Sequence, residues 1–277
     1  MFTIFGAGGW IGSALVRRLT SSGQEVRAVF RDNWPAGGES LGHVIYTIGL
    51  TADFRGRPFA TAEAHVSALT RVLQCFRFDS FLYLSSTRVY LGATTTEEES
   101  VLSLYPIDPE SIYNVTKLAG EAVCLALPSP AIRIVRLSNV LGLGDRSQNF
   151  LPTVLAEARQ MGSVTIRSAA DSEKDYVALD DVTALVEAIA TRGRYRVYNV
   201  ASGRNVSNRL IAELLRRHTG ADVRFMPGAP RVAFPSIAID RLAGEFGAPA
   251  TPFERVFTDL IHERWDARGE GLPVMQH

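Results

Sequence analysis

Three residues in the first half of the chain have the types and spacing to move a proton: Ser86, and the pair Tyr113 and Lys117 in Tyr113-Asn-Val-Thr-Lys117. Side chains four apart on a helix share a face, so the ammonium stands where it favours phenolate over phenol. A free phenol ionises at about pH 10, and bringing it to about 7 takes roughly 4 kcal/mol of preferential stabilisation of the anion. One ammonium in a dry site supplies much of that. A tyrosinate also needs a partner that holds the substrate's oxygen. Ser86, at the end of the strand-like run Phe81-Leu-Tyr-Leu-Ser85, is placed to donate that hydrogen bond. The three together predict catalysis by Ser86, Tyr113 and Lys117, with the phenol as general base or acid.

These side chains need a scaffold that also holds a redox partner, and the N-terminus predicts one. Phe2-Thr-Ile-Phe5 reads as a strand, Gly6-Ala-Gly-Gly9-Trp-Ile-Gly12 as a turn, and the residues through about Ser22 as an amphipathic helix. Strand, glycine turn, helix is the context that binds a dinucleotide, because backbone approaches the pyrophosphate and the helix N-terminus offers free N–H groups. The predicted cofactor contacts are Gly6, Gly8, Gly9, Trp10, Ile11 and Gly12, with Tyr113 and Lys117 at the nicotinamide end. Trp10 suits equally a place beside the cofactor and a hydrophobic anchor for the first helix. The second strand, Glu25–Phe30, ends at Phe30 where an acidic residue would read the ribose of NAD, and Arg31 follows, which suits the 2′-phosphate of NADP. The cofactor is therefore NAD or NADP, with Arg31 favouring NADP.

The next strand, His43–Ile48, starts 13 positions on from Phe30, across a stretch that includes Trp34-Pro-Ala-Gly-Gly38. That is too short for a helix, a strand and a second crossover, yet at about 3.3 Å per residue it spans roughly 43 Å. An outer strand of the usual doubly wound sheet is predicted to be missing. A helix over about 60–77, the serine strand, the Tyr113 helix to about Leu127 and the strand Ile132–Leu137 complete an alternation that predicts a parallel sheet. Thr94-Thr-Thr-Glu-Glu-Glu-Ser100 reads as a solvated loop. Beyond residue 138, helices are expected near 150–161, 180–191, 207–219 and 253–266, with short strands near 163–167, 195–200 and 222–226. The fold class is α/β: a Rossmann-type doubly wound parallel sheet lacking one outer strand, with a smaller C-terminal α+β substrate portion. The expected division is 1–145 for the dinucleotide and 146–277 for the substrate, with 195–201 returning to the main sheet.

Composition narrows the partners. Lys plus Arg equal Asp plus Glu at 29 each, which gives no electrostatic reason to expect nucleic acid or an anionic membrane. No apolar run reaches the roughly 18 residues a membrane span needs, and no leader precedes the first strand, so a cytoplasmic protein is expected. Cys75 and Cys124 match no metal spacing and read as buried free thiols. His43, His65, His218, His262 and His277 form no ligand set and read as ordinary surface or core histidines, and no metal is expected.

With Gly6, Gly9 and Gly12, then Ser86, then Tyr113 and Lys117 in this order, the chain resembles the extended short-chain dehydrogenase/reductases, the NAD-dependent epimerase/dehydratase family acting on nucleotide sugars. Leu84-Ser-Ser-Thr-Arg-Val-Tyr90 is similar to the family's serine strand, and Arg136-Leu-Ser-Asn-Val-Leu-Gly-Leu-Gly-Asp145 to its Arg-x-x-Asn-Val-Tyr-Gly segment. Asp175-Tyr-Val-Ala-Leu-Asp-Asp181 resembles the aspartate-rich stretch before a helix, and Val197-Tyr-Asn-Val200 the late strand. The resemblance implies that Tyr113 acts on a sugar hydroxyl or ketone, that Lys117 binds the nicotinamide ribose, and that Ser86 holds the reacting oxygen. Thr87, Arg88 and Asn139 would contact substrate, probed for Arg88 by the effect of Arg88→Ala on the Michaelis constant. It also implies a homodimer through the helices at 60–77 and 111–127.

Three features depart from the pattern. Thr87-Arg88 stands where the family's 4,6-dehydratases carry an acidic pair, the missing outer strand removes part of the adenine pocket, and Leu141 replaces the Tyr of Asn-Val-Tyr-Gly. Loss of the carboxylates leaves dehydration without its acid and base. The expected activity is epimerisation of a nucleotide sugar. An NADPH-dependent reductase of a keto-sugar or other carbonyl is the second reading, and an NAD(P)-sensing module without turnover the third.

Overall fold

The computed structural model describes residues 1–51 and 53–266. Its first unit is β1 (Phe2–Phe5), buried throughout, then α1 (Trp10–Ser21), then β2 (Val26–Val29). Strand β3 (His43–Tyr46) follows without a helix between. A broken helical run comes next, α2 (Pro58–Ala62), a π-helical turn over Glu63–Ser67, and α3 (Ala68–Cys75). Then come β4 (Ser80–Ser86), α4 (Ile112–Ala126), β5 (Ile132–Leu137) and β6 (Asn139–Leu141). The remainder is α5 (Phe150–Met161), β7 (Ser163–Ile166), β8 (Glu173–Ala178) and α6 (Leu179–Arg192), followed by β9 (Val197–Val200), β10 (Asn205–Ser207) and α7 (Asn208–Thr219). Strand β11 (Asp222–Phe225), α8 (Asp240–Phe246) and α9 (Phe253–Asp266) complete it.

Six strands form one parallel sheet in the order β2-β1-β3-β4-β5-β9. Strand β4 is buried on both faces for six of its seven residues, which is why Ser80–Ser86 reads as a continuous run instead of an alternation. Two apolar layers cover the sheet. One packs α1 and α6 through Leu15, Leu19, Val182, Val186 and Ile189. The other packs α3 and α4 through Leu69, Val72 and Cys124. The segment between β2 and β3 crosses on this second side, where Trp34 meets Phe5 edge-on at 5.3 Å and Leu41 is fully buried. Among the described residues no strand lies outside β2, as the short connection predicts. Strand β9 pairs in parallel with β5, returning residues 197–200 to the main sheet.

A third core, including Leu155, Ile211, Leu215, Phe257 and Ile261, lies among α5, α7 and α9 beside two small sheets, β10-β8-β6 and β11-β7. The helices expected here form nearly where the periodicity places them. Ser207 caps α7 by accepting from Leu210 N at 3.2 Å, and Gly220 ends it at φ +68°. Strands β6, β8 and β10 were not expected, because each is held by partners far away in sequence. Among the described residues no helix is long and apolar enough to cross a membrane.

Two further expectations are corrected. Cys124 is buried, but Cys75 is exposed, because it is the last residue of α3 and points off the sheet. The 94–100 loop is not simply solvated: Thr96 and Glu98 are buried, Thr96 bonding Ser236 O and Ala238 N, and Glu98 accepting from Asn199 N. His277 lies outside the described residues.

Candidate active site

The turn after β1 is tight for steric reasons. Gly6 has φ +85°, a conformation L side chains rarely adopt. A Cβ on Gly12 would stand 2.3 Å from Gly6 O, so any side chain there would push the turn apart. Helix α1 starts at Gly9 with no side-chain cap and no acidic residue in its first turn. Its N–H groups and positive dipole end are left for an outside anion, so these residues fit a dinucleotide's pyrophosphate. Trp10 both lines the cleft and anchors: its Nε1 donates to Leu143 O at 3.0 Å, tying the glycine turn to the loop after β6.

The cleft, about 410 Å³, runs from Gly9–Gly12 past Thr47 and Gly49 to Ser86, Tyr113 and Lys117, and on to Lys174 and Tyr176. The structure thus brings the three predicted reacting side chains into one cavity with the glycine turn. Arg88 and Asn139 line it too. Thr87 borders only a side recess shared with Ser86, Arg88, Asn139 and Lys174. Gly6 and Gly8 shape the turn from outside the lining, and a Cβ on Gly8 would lie 3.4 Å from the Phe30 ring. Arg31 is exposed beyond the end of β2, also outside the lining. The Asn139 side chain donates to Asp175 O at 2.8 Å, stitching β6 to β8.

Helix α4 presents Tyr113 and Lys117 together, with Lys117 Nζ 6.0 Å from the centre of the Tyr113 ring. Lys117 Nζ donates to Leu84 O at 2.7 Å, fixing the amine against β4. The expected lowering of the phenol pKa is not what the protein alone produces. Burial raises the Tyr113 pKa, opposed by its hydrogen bond with Ser86 and by the charge of Arg88. Burial also pulls Lys117 down to about 7, against the pull of Glu121, so the amine is only partly charged near neutrality. Spacing alone counts the attraction and omits desolvation, which dominates here.

His65, expected as an ordinary surface or core histidine, is a core residue, and what its position in the sequence does not reveal is that it packs on Tyr113. The π-helical turn over Glu63–Ser67 turns it inward, fully buried, with its ring edge-on to Tyr113 at 5.3 Å. Leu50 N donates to its Nε2 at 3.3 Å, so Nδ1 carries the proton and donates to Thr116 Oγ1 at 2.8 Å. Thr116 Oγ1 in turn donates to Ile112 O at 2.7 Å. His65 therefore ties the loop along the cofactor cleft to the helix bearing Tyr113 and Lys117. Burial and then the Lys117 charge lower its pKa from 6.5 to about 2. The unfolded chain takes up this proton between those values while the folded chain does not, so the contribution of His65 is fully present above about pH 6.5 and is lost as pH drops, by about 1.4 kcal/mol per pH unit. Thermal melts from pH 7 to pH 4 should show this loss, and His65→Asn should flatten the slope. Equal slopes in both proteins would exclude His65 as its source.

Beneath the site lies a buried ion pair. Glu121 on α4 and Arg136 on β5 meet at 2.6 Å, with side chains 3% and 5% exposed. Ser85 Oγ donates to Glu121, and Arg136 also donates to Tyr90 Oη and Glu98 O. Tyr90 Oη in turn donates to Asn199 Oδ1 at 2.9 Å, so Tyr90 is a link in this chain behind the cavity.

Fold and cleft together define an α/β protein of the Rossmann type, whose glycine turn opens onto Ser86, Tyr113 and Lys117. The family model described as NAD dependent epimerase/dehydratase matches residues 40–201, more than half of the chain. The chain belongs to that family. A dTDP-glucose 4,6-dehydratase of Streptomyces griseus is 29% identical over 150 residues, 52% of this chain and 44% of that protein's own length. The chain thus aligns with less than half of that relative. Among solved structures, the NAD dependent NDP-hexosamine 5,6-dehydratase TunA superposes with a TM-score of 0.79 at 22% identity, covering 96% of this chain and 98% of that one. RMD from Pseudomonas aeruginosa complexed with NADPH gives 0.76 at 22% identity, covering 96% and 99%. At these identities the structural likeness is one of fold.

Proposed function

We propose that this protein is an NAD(P)-dependent epimerase of a nucleotide sugar. The observation that carries the reading is the convergence of Ser86, Tyr113 and Lys117 on the dinucleotide cleft, with a cation, Arg88, where elimination of water would need a carboxylate. Asp175, which lines the side recess together with Ser86, accepts from Ser138 Oγ, Ser202 and Arg204 N, and is spent on structure.

Gly9 and Gly12, with the open N-terminus of α1, would hold the cofactor's pyrophosphate. A nicotinamide bound in this cleft would supply the hydride acceptor and donor and, when oxidised, a positive charge favouring ionised Tyr113. Ser86 Oγ donates to the reacting oxygen, and Tyr113 Oη takes the hydroxyl proton and later returns it. Lys117, fixed on Leu84 O, adds positive charge on the phenol's side. Residues 1–145 would serve mainly the cofactor and 146–277 mainly the substrate, with α6 and β9 joining the first unit and Arg88 reaching towards the second. Arg31, which has no carboxylate partner among the described residues, supports NADP over NAD. The reading also has the protein in the cytoplasm with both thiols reduced. It forms a homodimer over the α2, α3 and α4 face, where Phe59 is 89% exposed.

The purified enzyme is expected to interconvert two epimers from a panel of UDP-, dTDP-, GDP- and CDP-sugars with no net change in cofactor absorbance. Failure on every member removes the reading. Stoichiometric loss of NADPH with a keto-sugar selects the reductase, which Arg31 also favours.

A further inference from the structure

Two cations, Arg88 and Lys174, line both the main cleft and its side recess, alongside Ser86 and Asn139. Arg88 follows Ser86 by two residues, and its guanidinium carbon lies 5.8 Å from the centre of the Tyr113 ring. Lys174 comes from β8, which the sequence reading did not expect. Neither charge is well satisfied within the protein. Arg88 reaches Glu110 only at 3.5 Å, Glu110 is already gripped by Arg55, and Arg88 Nε is buried with no acceptor among the described residues. Lys174 has no ion-pair partner among the described residues; its amine lies 5.9 Å from the centre of the Phe150 ring. The adjacent Asp175 has its oxygens engaged by Ser138, Ser202 and Arg204. Burial and then the charge of Arg88 lower the Lys174 pKa, so the two cations lie close enough to feel each other.

We infer that Arg88 and Lys174 form an anion subsite beside the reacting atoms, built for a carboxylate on the sugar, so that the substrate is a nucleotide-linked uronate and not a neutral hexose. The inference rests on the nucleotide-sugar reading. In a hexose reacting at C4, the pyrophosphate on C1 lies across the ring, whereas the C6 group sits on the neighbouring carbon, close to the position Arg88 takes beside Tyr113. A carboxylate there would give Arg88 Nε its missing acceptor and relieve the repulsion between the two cations. A hydroxymethyl group would do neither.

The test compares matched pairs that share nucleotide and pyrophosphate and differ only at C6, such as UDP-glucuronate with UDP-glucose, and the dTDP and GDP counterparts. Binding is measured by calorimetry with saturating cofactor in Tyr113→Phe protein, which blocks turnover. For the preferred nucleotide the uronate is expected to bind on the order of 30-fold tighter. Lys174→Gln and, independently, Arg88→Gln should each reduce that ratio by about tenfold. A ratio near one overturns the inference while leaving the epimerase reading in place. Variants that weaken both members equally also overturn it, because the cations then serve the shared pyrophosphate. Failure of every pair, neutral members included, brings down the nucleotide-sugar reading itself and is told apart by that.

Discussion

Tyr113→Phe is expected to lower turnover by about a thousandfold with little change in thermal midpoint. The ring is packed by Phe54 at 5.3 Å and by His65, and phenylalanine keeps both contacts. Only the hydroxyl is lost; Ser86 still accepts from Arg88 N at 3.2 Å, and its own hydroxyl faces the open cleft. The protein would still bind cofactor and nucleotide sugar. Because burial holds Tyr113 as a phenol in the free protein, the base should form only once positive charge arrives, and binding and rate should separate cleanly in the variant. A protein that keeps more than a tenth of its turnover would exclude Tyr113 from proton transfer. Unchanged behaviour in every assay would select the sensor reading.

Glu121→Leu should destabilise the fold by about 3–5 kcal/mol, because it leaves the buried Arg136 guanidinium without a counter-charge. In a chain of this size that lowers the midpoint by about 10 °C. The double replacement Glu121→Leu with Arg136→Met should recover most of the loss, since swapping a whole buried ion pair for apolar groups is often close to neutral. Differential scanning of the three proteins decides it. If the double variant is as unstable as the single, the stabilising element is the hydrogen bonding to Ser85 and Tyr90 and not the charge pair.

Local pattern made the N-terminal half legible. Phe2–Phe5, the glycine turn and the helix after it announce themselves by period and by the types a tight turn requires. The length of 30–42 was enough to predict a sheet without a strand beyond β2. Ser86, Tyr113 and Lys117 could be read because each sits at an element end or on one helix face. What stayed hidden depends on distance in the chain. Lys174 reaches the cleft only because β8 pairs with β6 and β10, 30 or more residues away on either side. His65 escaped because a π-helical turn shifts the helical register on which a face assignment relies. The direction of the Tyr113 shift escaped because burial depends on the whole fold.

The sheet's early stop at β2 has a consequence for the molecule in solution. An open strand edge is a template on which another chain can add itself, and this one is poorly suited to the purpose. It is four residues long, it carries Arg27 in an ion pair with Glu39, and Asn33 folds back to occupy Ala28 O at 3.1 Å. The shortened architecture thus leaves little footing for edge-to-edge aggregation.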